Sequence, residues 1–151
     1  MSDAQIRERN LAIVRRYIDA INLWDFDAKR ELLAEDAVFE MPYAPESFER
    51  RITGRDNILA FVETIPALVD AENLHDLRLE TYHSDPGEIV AEYRSDMVIK
   101  PTKAEYRNEY VGRFTVRDGR ITRFAEYYDP IRLVVALGGS VQSPGLEAPA
   151  S

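Results

Sequence analysis

Residues 105–129 read EYRNEYVGRFTVRDGRITRFAEYYD, and this stretch decides the fold. Aromatic and charged side chains alternate on both sides of a turn at 117–120, whose letters are RDGR. Alternation with a period of two around an Asp-Gly pair is a strong short-range signal for a β-hairpin. The sequence therefore predicts two long antiparallel strands joined by this turn.

Two registers of the hairpin are compatible with the turn, and they bring different side chains together. A two-residue loop over 118–119 sets Glu126 beside Val111, whereas a three-residue loop over 117–119, with its glycine left-handed as a bulge, sets Glu126 opposite Tyr110. We predict the three-residue loop, because it separates an aromatic face from a charged face, as expected of a half-buried antiparallel sheet. The aromatic face then holds Tyr106, Asn108, Tyr110, Gly112, Phe114, Val116, Thr122, Phe124, Glu126 and Tyr128.

The composition is typical of one globular domain, with 151 residues, 45% of them hydrophobic and 30% charged. The net charge of -8 argues against binding to nucleic acid, which requires clustered Lys and Arg. There is no cysteine, which excludes disulfides, thiolate metal sites and a thiol nucleophile. The polar start MSDAQIRERN and the lack of a long apolar run predict no secretory signal and no membrane span, so we expect a cytoplasmic protein.

Helical and strand patterns alternate along the rest of the chain. A capping box at Ser2 and Gln5 begins an amphipathic helix that runs to about Asn22. Further along we predict a short helix over 28–33, a strand over 37–43, a charged loop over 46–54, a helix over 56–65, strands over 77–82 and 89–99, the hairpin, and a short helix over 130–138. This order predicts an α+β fold in which about three helices pack on a strongly curved antiparallel sheet and form a cone that encloses a pocket. One domain spans 1–137, and we expect 138–151 to be a flexible tail.

Three motifs carry a resemblance to a known family. They are GRDNI at 54–58, VRDGRI at 116–121 and FAEYYDP at 124–130. With the order of elements, they resemble the SnoaL-like proteins of the nuclear transport factor 2-like superfamily, over about residues 6–137. That superfamily includes ketosteroid isomerase, polyketide cyclases, limonene-epoxide hydrolase and PhzA/PhzB-type proteins. The resemblance implies the cone fold, and it leaves the reaction open because this fold supports many chemistries.

The hairpin is most similar to the final hairpin of limonene-epoxide hydrolases, which use an Asp-Arg-Asp set. Arg94 and Asp96, within the YRSD stretch at 93–96, match the R-x-D part of that set, and Glu126 matches the remaining acid. The resemblance thus implies catalytic roles for Glu126, Asp96 and Arg94. The chain departs from those hydrolases at Val38 and Glu40, where they carry the Tyr and Asn that hold the attacking water.

Glu126 is the leading candidate for acid–base chemistry. A carboxylate among aromatic groups in a closed cone is partly desolvated, which raises its pKa toward neutrality and makes it a usable general base or acid. The alternative is that Glu126 sits at the sheet edge and pairs with an arginine.

Arg94 and Asp96 lie two residues apart on a strand and so share a face. In the functional reading, the Arg94 guanidinium bridges Asp96 and Glu126 and keeps their protonation states apart. In the alternative, the opposite face of the strand is the core side, and Arg94 and Asp96 are a solvated ion pair. Periodicity favours the alternative, and the resemblance favours the functional reading.

Further residues are candidates for contact with a ligand. Tyr110, Asn108, Tyr128 and Phe124 are expected to line the pocket, with Glu40 beside them. Trp24 either caps the mouth of the pocket or simply locks the turn between two helices. His75 and His83 have no nearby partner that predicts a metal site.

The sequence thus predicts a cofactor-independent enzyme that uses carboxylate acid–base chemistry on a hydrophobic small molecule, as an isomerase, a cyclase or an epoxide hydrolase. The alternative is a non-catalytic small-molecule-binding protein of the same fold. The resemblance further implies a homodimer that pairs through the outer face of the sheet, where charges of both signs fit a self-complementary contact.

Overall fold

The computed structural model describes residues 1–142, and this part of the chain contains four α-helices and six β-strands. The helices are α1 (Asp3–Asn22), α2 (Phe26–Leu32), α3 (Arg55–Val62) and α4 (Pro130–Ala136), with a short 3₁₀ turn at Ile65–Ala67. The strands are β1 (Leu33–Glu40), β2 (Arg51–Thr53), β3 (His75–Thr81), β4 (Glu88–Ile99), β5 (Ala104–Arg117) and β6 (Arg120–Tyr128). Most of the predicted tail over 138–151 lies outside the described residues.

The strands form one curved sheet in the order β2-β1-β6-β5-β4-β3, which does not close into a barrel. All neighbouring pairs are antiparallel except β1 and β6, which are parallel. The helices pack against one face, so the predicted α+β architecture is confirmed. The parallel pair joins the helical N-terminal part of the chain to the hairpin, because β1 follows directly after α2.

Local sequence signals explain where the main helix begins and which side it buries. Ser2 and Gln5 form the predicted capping box, in which the Ser2 Oγ accepts from the Gln5 amide and the Gln5 side chain accepts from the Ser2 amide at 2.9 Å. Helix α1 then presents Val14, Tyr17 and Ile18 to the sheet, at the spacing of one helical face. The Tyr17 ring meets aromatic rings of β5 and β6 edge-on, which anchors the helix over the site described below.

The predicted register of the hairpin is wrong, although most of the predicted face is right. The tip is a two-residue loop, with Arg117 paired to Arg120 and both loop residues at positive φ, the geometry that an Asp-Gly pair favours. Thr122 is then an extra residue on β6, and the register shifts so that Glu126 pairs with Gly112. This bulge returns the later side chains of β6 to the aromatic face, so Ile121 takes the inward place expected for Thr122.

Two further boundaries differ from the sequence prediction. Strand β1 begins at Leu33, directly after α2, and ends at Glu40, short of the predicted end at residue 43. The stretch predicted as a charged loop contains β2, which pairs Ile52 with Phe39 of β1. The composition of 46–54 concealed this strand because only Ile52 in it points inward.

The outer face of the sheet is charged and exposed to solvent. Arg94 pairs with Glu109 at 3.3 Å, and Arg107 pairs with Asp96 at 3.2 Å, across β4 and β5. Val111 stands exposed among these charges. The predicted homodimer through this face stays a prediction. Within residues 1–142, no helix has the length and apolar character that a membrane crossing requires.

Candidate active site

A cavity of about 180 Å³ lies between the inner face of the sheet and the helices. Its wall is mainly aromatic and aliphatic, and among the described residues only three charged side chains line it, namely Lys29, Glu72 and Glu126. An apolar hollow with a few polar groups is the usual form of a small-molecule site. A larger depression of about 550 Å³ on the outer face is open and charged, and it is lined by Arg94 and Glu109. The cavity between the sheet and the helices is therefore the candidate active site.

Glu126 is the acid that β6 delivers into this cavity. Its side chain lines the cavity and is partly buried. Burial raises the pKa of the Glu126 carboxyl from 4.5 to about 7. The hydroxyl of Tyr93 on β4 donates a hydrogen bond to Glu126 Oε2, and this bond acts in the opposite direction because it stabilises the carboxylate. At neutral pH the group is poised to accept or to donate a proton.

Gly112 leaves space for Glu126 and the surrounding aromatic rings to pack together. It pairs with Glu126 across the hairpin and lies on the inner face. A Cβ at this position would stand 3.0 Å from a ring carbon of Phe124, 3.1 Å from one of Phe114 and 3.3 Å from one of Tyr93. Those separations are shorter than ordinary van der Waals contact, so the glycine leaves the space in which the rings pack beside the acid.

Tyr106, Tyr110 and Tyr128 line the cavity on the side of β5 and β6, and Tyr93 of β4 stacks on one of them. The rings of Tyr93 and Tyr110 stack with centroids 5.1 Å apart. The Tyr110 hydroxyl lies 2.8 Å from Ser95 Oγ and donates to the Tyr106 hydroxyl at 3.4 Å. Burial raises the pKa of each of these tyrosines, so the hydroxyls stay protonated at neutral pH. Tyr128, whose pKa burial also raises, lines the same cavity.

The predicted ligand contacts therefore divide into two groups. Tyr110, Tyr128 and Phe124 line the cavity as expected. Asn108 is buried, but its amide is engaged by protein: Nδ2 donates to the Tyr106 hydroxyl at 2.8 Å and to the Asp129 carbonyl at 2.9 Å. Asn108 thus fastens the start of α4 to the sheet, and it is not part of the cavity lining.

The predicted grouping of Arg94 and Asp96 with Glu126 is wrong. Strand β4 alternates, and its inward positions hold Tyr93 and Ser95, so Arg94 and Asp96 point to the outer face. Their side chains are 58% and 53% exposed, and each pairs with a neighbour on β5. The arginine therefore bridges no pair of acids in the cavity. The alternation of apolar and charged residues along β4 had favoured the alternative, in which Arg94 and Asp96 are a solvated pair on the outer face.

Glu40 and Trp24 are also absent from the cavity wall. Glu40 lies on the outer side of β1, where the Arg123 guanidinium donates to it at 2.7 Å. Trp24 has a left-handed backbone with φ of 54° at the end of α1, and its ring packs against the apolar cluster that includes Met97 and Tyr106. Trp24 therefore packs on that cluster from the end of α1 and is not part of the cavity lining, and its role in the turn between the two helices stays a prediction.

Three chemically relevant residues were missed in the sequence. Tyr93 could have been found, because it falls on the apolar alternation of β4. Lys29 lies three residues after Phe26 and three before Leu32, a spacing that places it on the buried side of α2. Glu72 lies in the loop before β3, where no periodic pattern identifies it. Burial raises the pKa of the Glu72 carboxyl to about 7, against the opposing charge of Lys29.

No metal site is formed by the described residues: within 1–142, no group of three or more His, Asp or Glu side chains is arranged to hold an ion. The expectation that the protein works without a cofactor stays a prediction.

Comparison with known proteins gives the class of protein to which the chain belongs. The chain matches the SnoaL-like domain over residues 14–124, and it belongs to that family. The uncharacterized protein YesE of Bacillus subtilis (strain 168) is 31% identical over 135 residues, which are 88% of this chain and 90% of YesE. The architecture is that of NTF2-like proteins, as the resemblance implied.

Two solved structures are similar over nearly their whole length. A Bacillus subtilis protein described as a candidate isomerase has a TM-score of 0.82 and 28% identity, and the match covers 93% of this chain and 98% of that one. A candidate polyketide cyclase from Xanthomonas campestris pv. campestris has a TM-score of 0.77 and 26% identity, and covers 87% and 98% of the two chains. The two similar structures are thus described as a candidate isomerase and a candidate cyclase.

Proposed function

We propose that the protein is a cofactor-independent enzyme that moves a proton on a small hydrophobic substrate, with Glu126 as the general base and acid. The single observation that supports this most is the placement of Glu126: a carboxyl on the cavity wall, with a hydrogen bond from Tyr93 and a pKa of about 7. A group whose pKa matches the operating pH both accepts and returns a proton efficiently.

Proton transfer at carbon next to a carbonyl fits this site better than epoxide hydrolysis. Epoxide opening by the limonene-epoxide hydrolase route requires an arginine between two acids, and Arg94 and Asp96 face solvent on the other side of the sheet. A single buried carboxyl that removes a proton and returns it elsewhere is sufficient for isomerisation or for ring closure through an enol. The isomerase and cyclase descriptions of the two similar structures support the same class.

The size of the cavity limits the substrate. A hollow of about 180 Å³ is slightly larger than the cavities of roughly 150 Å³ that bind benzene in engineered proteins. The tyrosine wall offers hydroxyl donors for one oxygen atom of the ligand, and the remaining wall is apolar. We therefore expect a compound with one ring, or a short branched chain, and a carbonyl group.

The test uses small cyclic ketones as probes. In deuterated buffer near neutral pH, the wild-type protein should exchange the hydrogens next to the carbonyl of cyclohexanone or cyclohexenone, as followed by NMR. Glu126→Gln should slow the protein-dependent exchange by about 10²-fold or more, because it removes the base and preserves the shape. Glu109→Gln is the matched control, since Glu109 is an exposed carboxylate of the same sheet.

The rival function, non-catalytic binding, predicts a different result. A binding protein would raise its melting temperature in the presence of a probe by mass action, in the wild type and in Glu126→Gln alike, and would exchange no faster than buffer. Exchange that is equal in the wild type and in Glu126→Gln would refute the role of Glu126.

A further inference from the structure

Lys29 is a buried amine that the proposed proton transfer does not use. It is 1% exposed, and it lies on α2 between two residues that are also buried or partly buried on the same side, Phe26 and Leu32. Within residues 1–142, its Nζ makes no hydrogen bond and no ion pair within 4 Å, and its defined neighbour is the face of the Phe26 ring, 5.0 Å from the ring centroid. Burial of an ammonium without hydrogen-bond acceptors is costly and lowers the pKa of the amine, while the face of the Phe26 ring stabilises the charged form.

Two properties of the surroundings bear on what that amine can do. Lys29 lines the same cavity as Glu72 and Glu126, so a ligand in the hollow meets the amine and a carboxyl together. Burial lowers the pKa of the Lys29 ammonium, while the Glu72 charge acts in the opposite direction. A lysine desolvated in an apolar pocket is an activated nucleophile toward carbonyl carbon.

We propose that Lys29 condenses with the carbonyl group of a small aldehyde or ketone in the cavity and forms an imine. The site is covalent, and it takes neutral carbonyl compounds of about the size of one ring. Neutral ligands fit the cavity better than carboxylates, because its wall is mainly apolar and the two glutamates that line it, partly ionised at neutral pH, would repel a further anion. The inference does not require Glu126 to act as a base.

Lys29 and Glu72 supply the amine and the proton that the condensation requires. The Lys29 Nζ lone pair attacks the carbonyl carbon, a C–N bond forms, and a proton moves from nitrogen to the carbonyl oxygen to give a carbinolamine. The Glu72 carboxyl then donates its proton to the carbinolamine hydroxyl, the C–O bond breaks and water leaves. Nitrogen forms the C=N bond, and the products are an iminium ion, a Glu72 carboxylate beside it, and one water.

The experiment is reductive trapping on the intact protein. The sequence has only three lysines, Lys29, Lys100 and Lys103, so peptide mass spectrometry distinguishes the labels on them. Cyclohexanone with cyanoborohydride at neutral pH should label Lys29 measurably faster than either exposed lysine, since a lowered amine pKa increases the neutral fraction that attacks the carbonyl. Labelling at Lys29 should saturate with ketone concentration. Lys29→Arg should abolish that label and leave the labels on Lys100 and Lys103 unchanged.

The outcomes separate this inference from the proposed proton transfer. Labelling at Lys29 that is no faster than at Lys100 and Lys103, or that is missing, overturns the imine. Labelling should persist in Glu126→Gln and should slow in Glu72→Gln, which removes the proton donor. If the protein catalyses isotope exchange but Lys29 is not labelled, the imine proposal is refuted and the role of Glu126 as a base stands. If Lys29 is labelled but Glu126→Gln does not change the exchange rate, the role of Glu126 is refuted and the imine proposal stands.

Discussion

Glu126→Gln should change the pH dependence of stability in a direction that the structure fixes. The ordinary pKa of this carboxyl is 4.5 and its pKa in the folded protein is about 7, so the folded state holds a proton that the unfolded state releases between these values. The protonated acid therefore contributes stability that is fully present below pH 4.5 and is lost as the pH rises through about 7. Glutamine has nearly the same shape as glutamate and does not ionise, so the Glu126→Gln variant should not lose this stability as the pH rises.

The magnitude follows from the size of the pKa change. At about 1.4 kcal/mol per pKa unit, ionising Glu126 in the fold costs about 3.5 kcal/mol in full, and roughly 2.5 kcal/mol of this falls between about pH 5 and pH 8. This figure is the upper end, because the side chain keeps some accessible surface inside the cavity. With a urea m value of about 2 kcal/mol/M, the difference between the unfolding midpoints of Glu126→Gln and the wild type should increase by about 1 M in favour of the variant from pH 5 to pH 8.

The assay is equilibrium unfolding in urea at both pH values, with m compared between the proteins. Glu109→Gln is the control, since that carboxylate is 64% exposed and paired with Arg94 on the outer face. Its midpoint should follow the wild type at each pH. If the midpoints of Glu126→Gln and wild type differ by the same amount at pH 5 and pH 8, the carboxyl is not desolvated in the fold, and the acid–base proposal loses its physical basis.

Three further changes test other parts of the site. Tyr93→Phe removes the donor that stabilises the Glu126 carboxylate, so the pKa of Glu126 should rise further and the pH–rate profile for isotope exchange should move to higher pH. Gly112→Ala should lower the free energy of unfolding by about 1–3 kcal/mol, measured in urea, because its Cβ would press on packed rings. Arg94→Ala should change stability by less than about 0.5 kcal/mol and leave exchange intact, since its ion pair is exposed; a large loss of exchange would return Arg94 to the site.

The hairpin shows what a sequence pattern can and cannot fix. Alternation places side chains on faces, so the inward direction of Tyr110, Phe124 and Glu126 was predictable. The residue-by-residue pairing of β5 with β6 was not predictable, because it depends on the turn and on a later bulge together. The Asp-Gly turn gives one pairing, and the bulge at Thr122 shifts it by one residue. A single bulge is invisible in the pattern of this short strand, although its result, a consistent inner face, is visible.

Strand β4 shows the opposite error, in which a resemblance was given more weight than the pattern. Its apolar residues alternate from Ile89 through Tyr93 to Ile99, and they face the core. The match of Arg94 and Asp96 to a hydrolase set required the strand to be turned over, which would have buried two charges and exposed the apolar side. Exposing that side forfeits about 25 cal/mol for each Å² of apolar surface, which decides the orientation against a short motif.

Lys29 is the residue that sequence reasoning was least able to assign, because residue type and position disagree. Its spacing from Phe26 and Leu32 is that of a buried face, and lysine is ordinarily read as exposed. Turning α2 so that Lys29 reached water would move Ala28 and Leu32 off the core, and both are buried. The helix therefore keeps the amine inside at a cost in solvation that no ion pair within 4 Å among residues 1–142 offsets. Because this loss of solvation occurs at the wall of the cavity that also contains Glu126, it indicates a chemical role for Lys29.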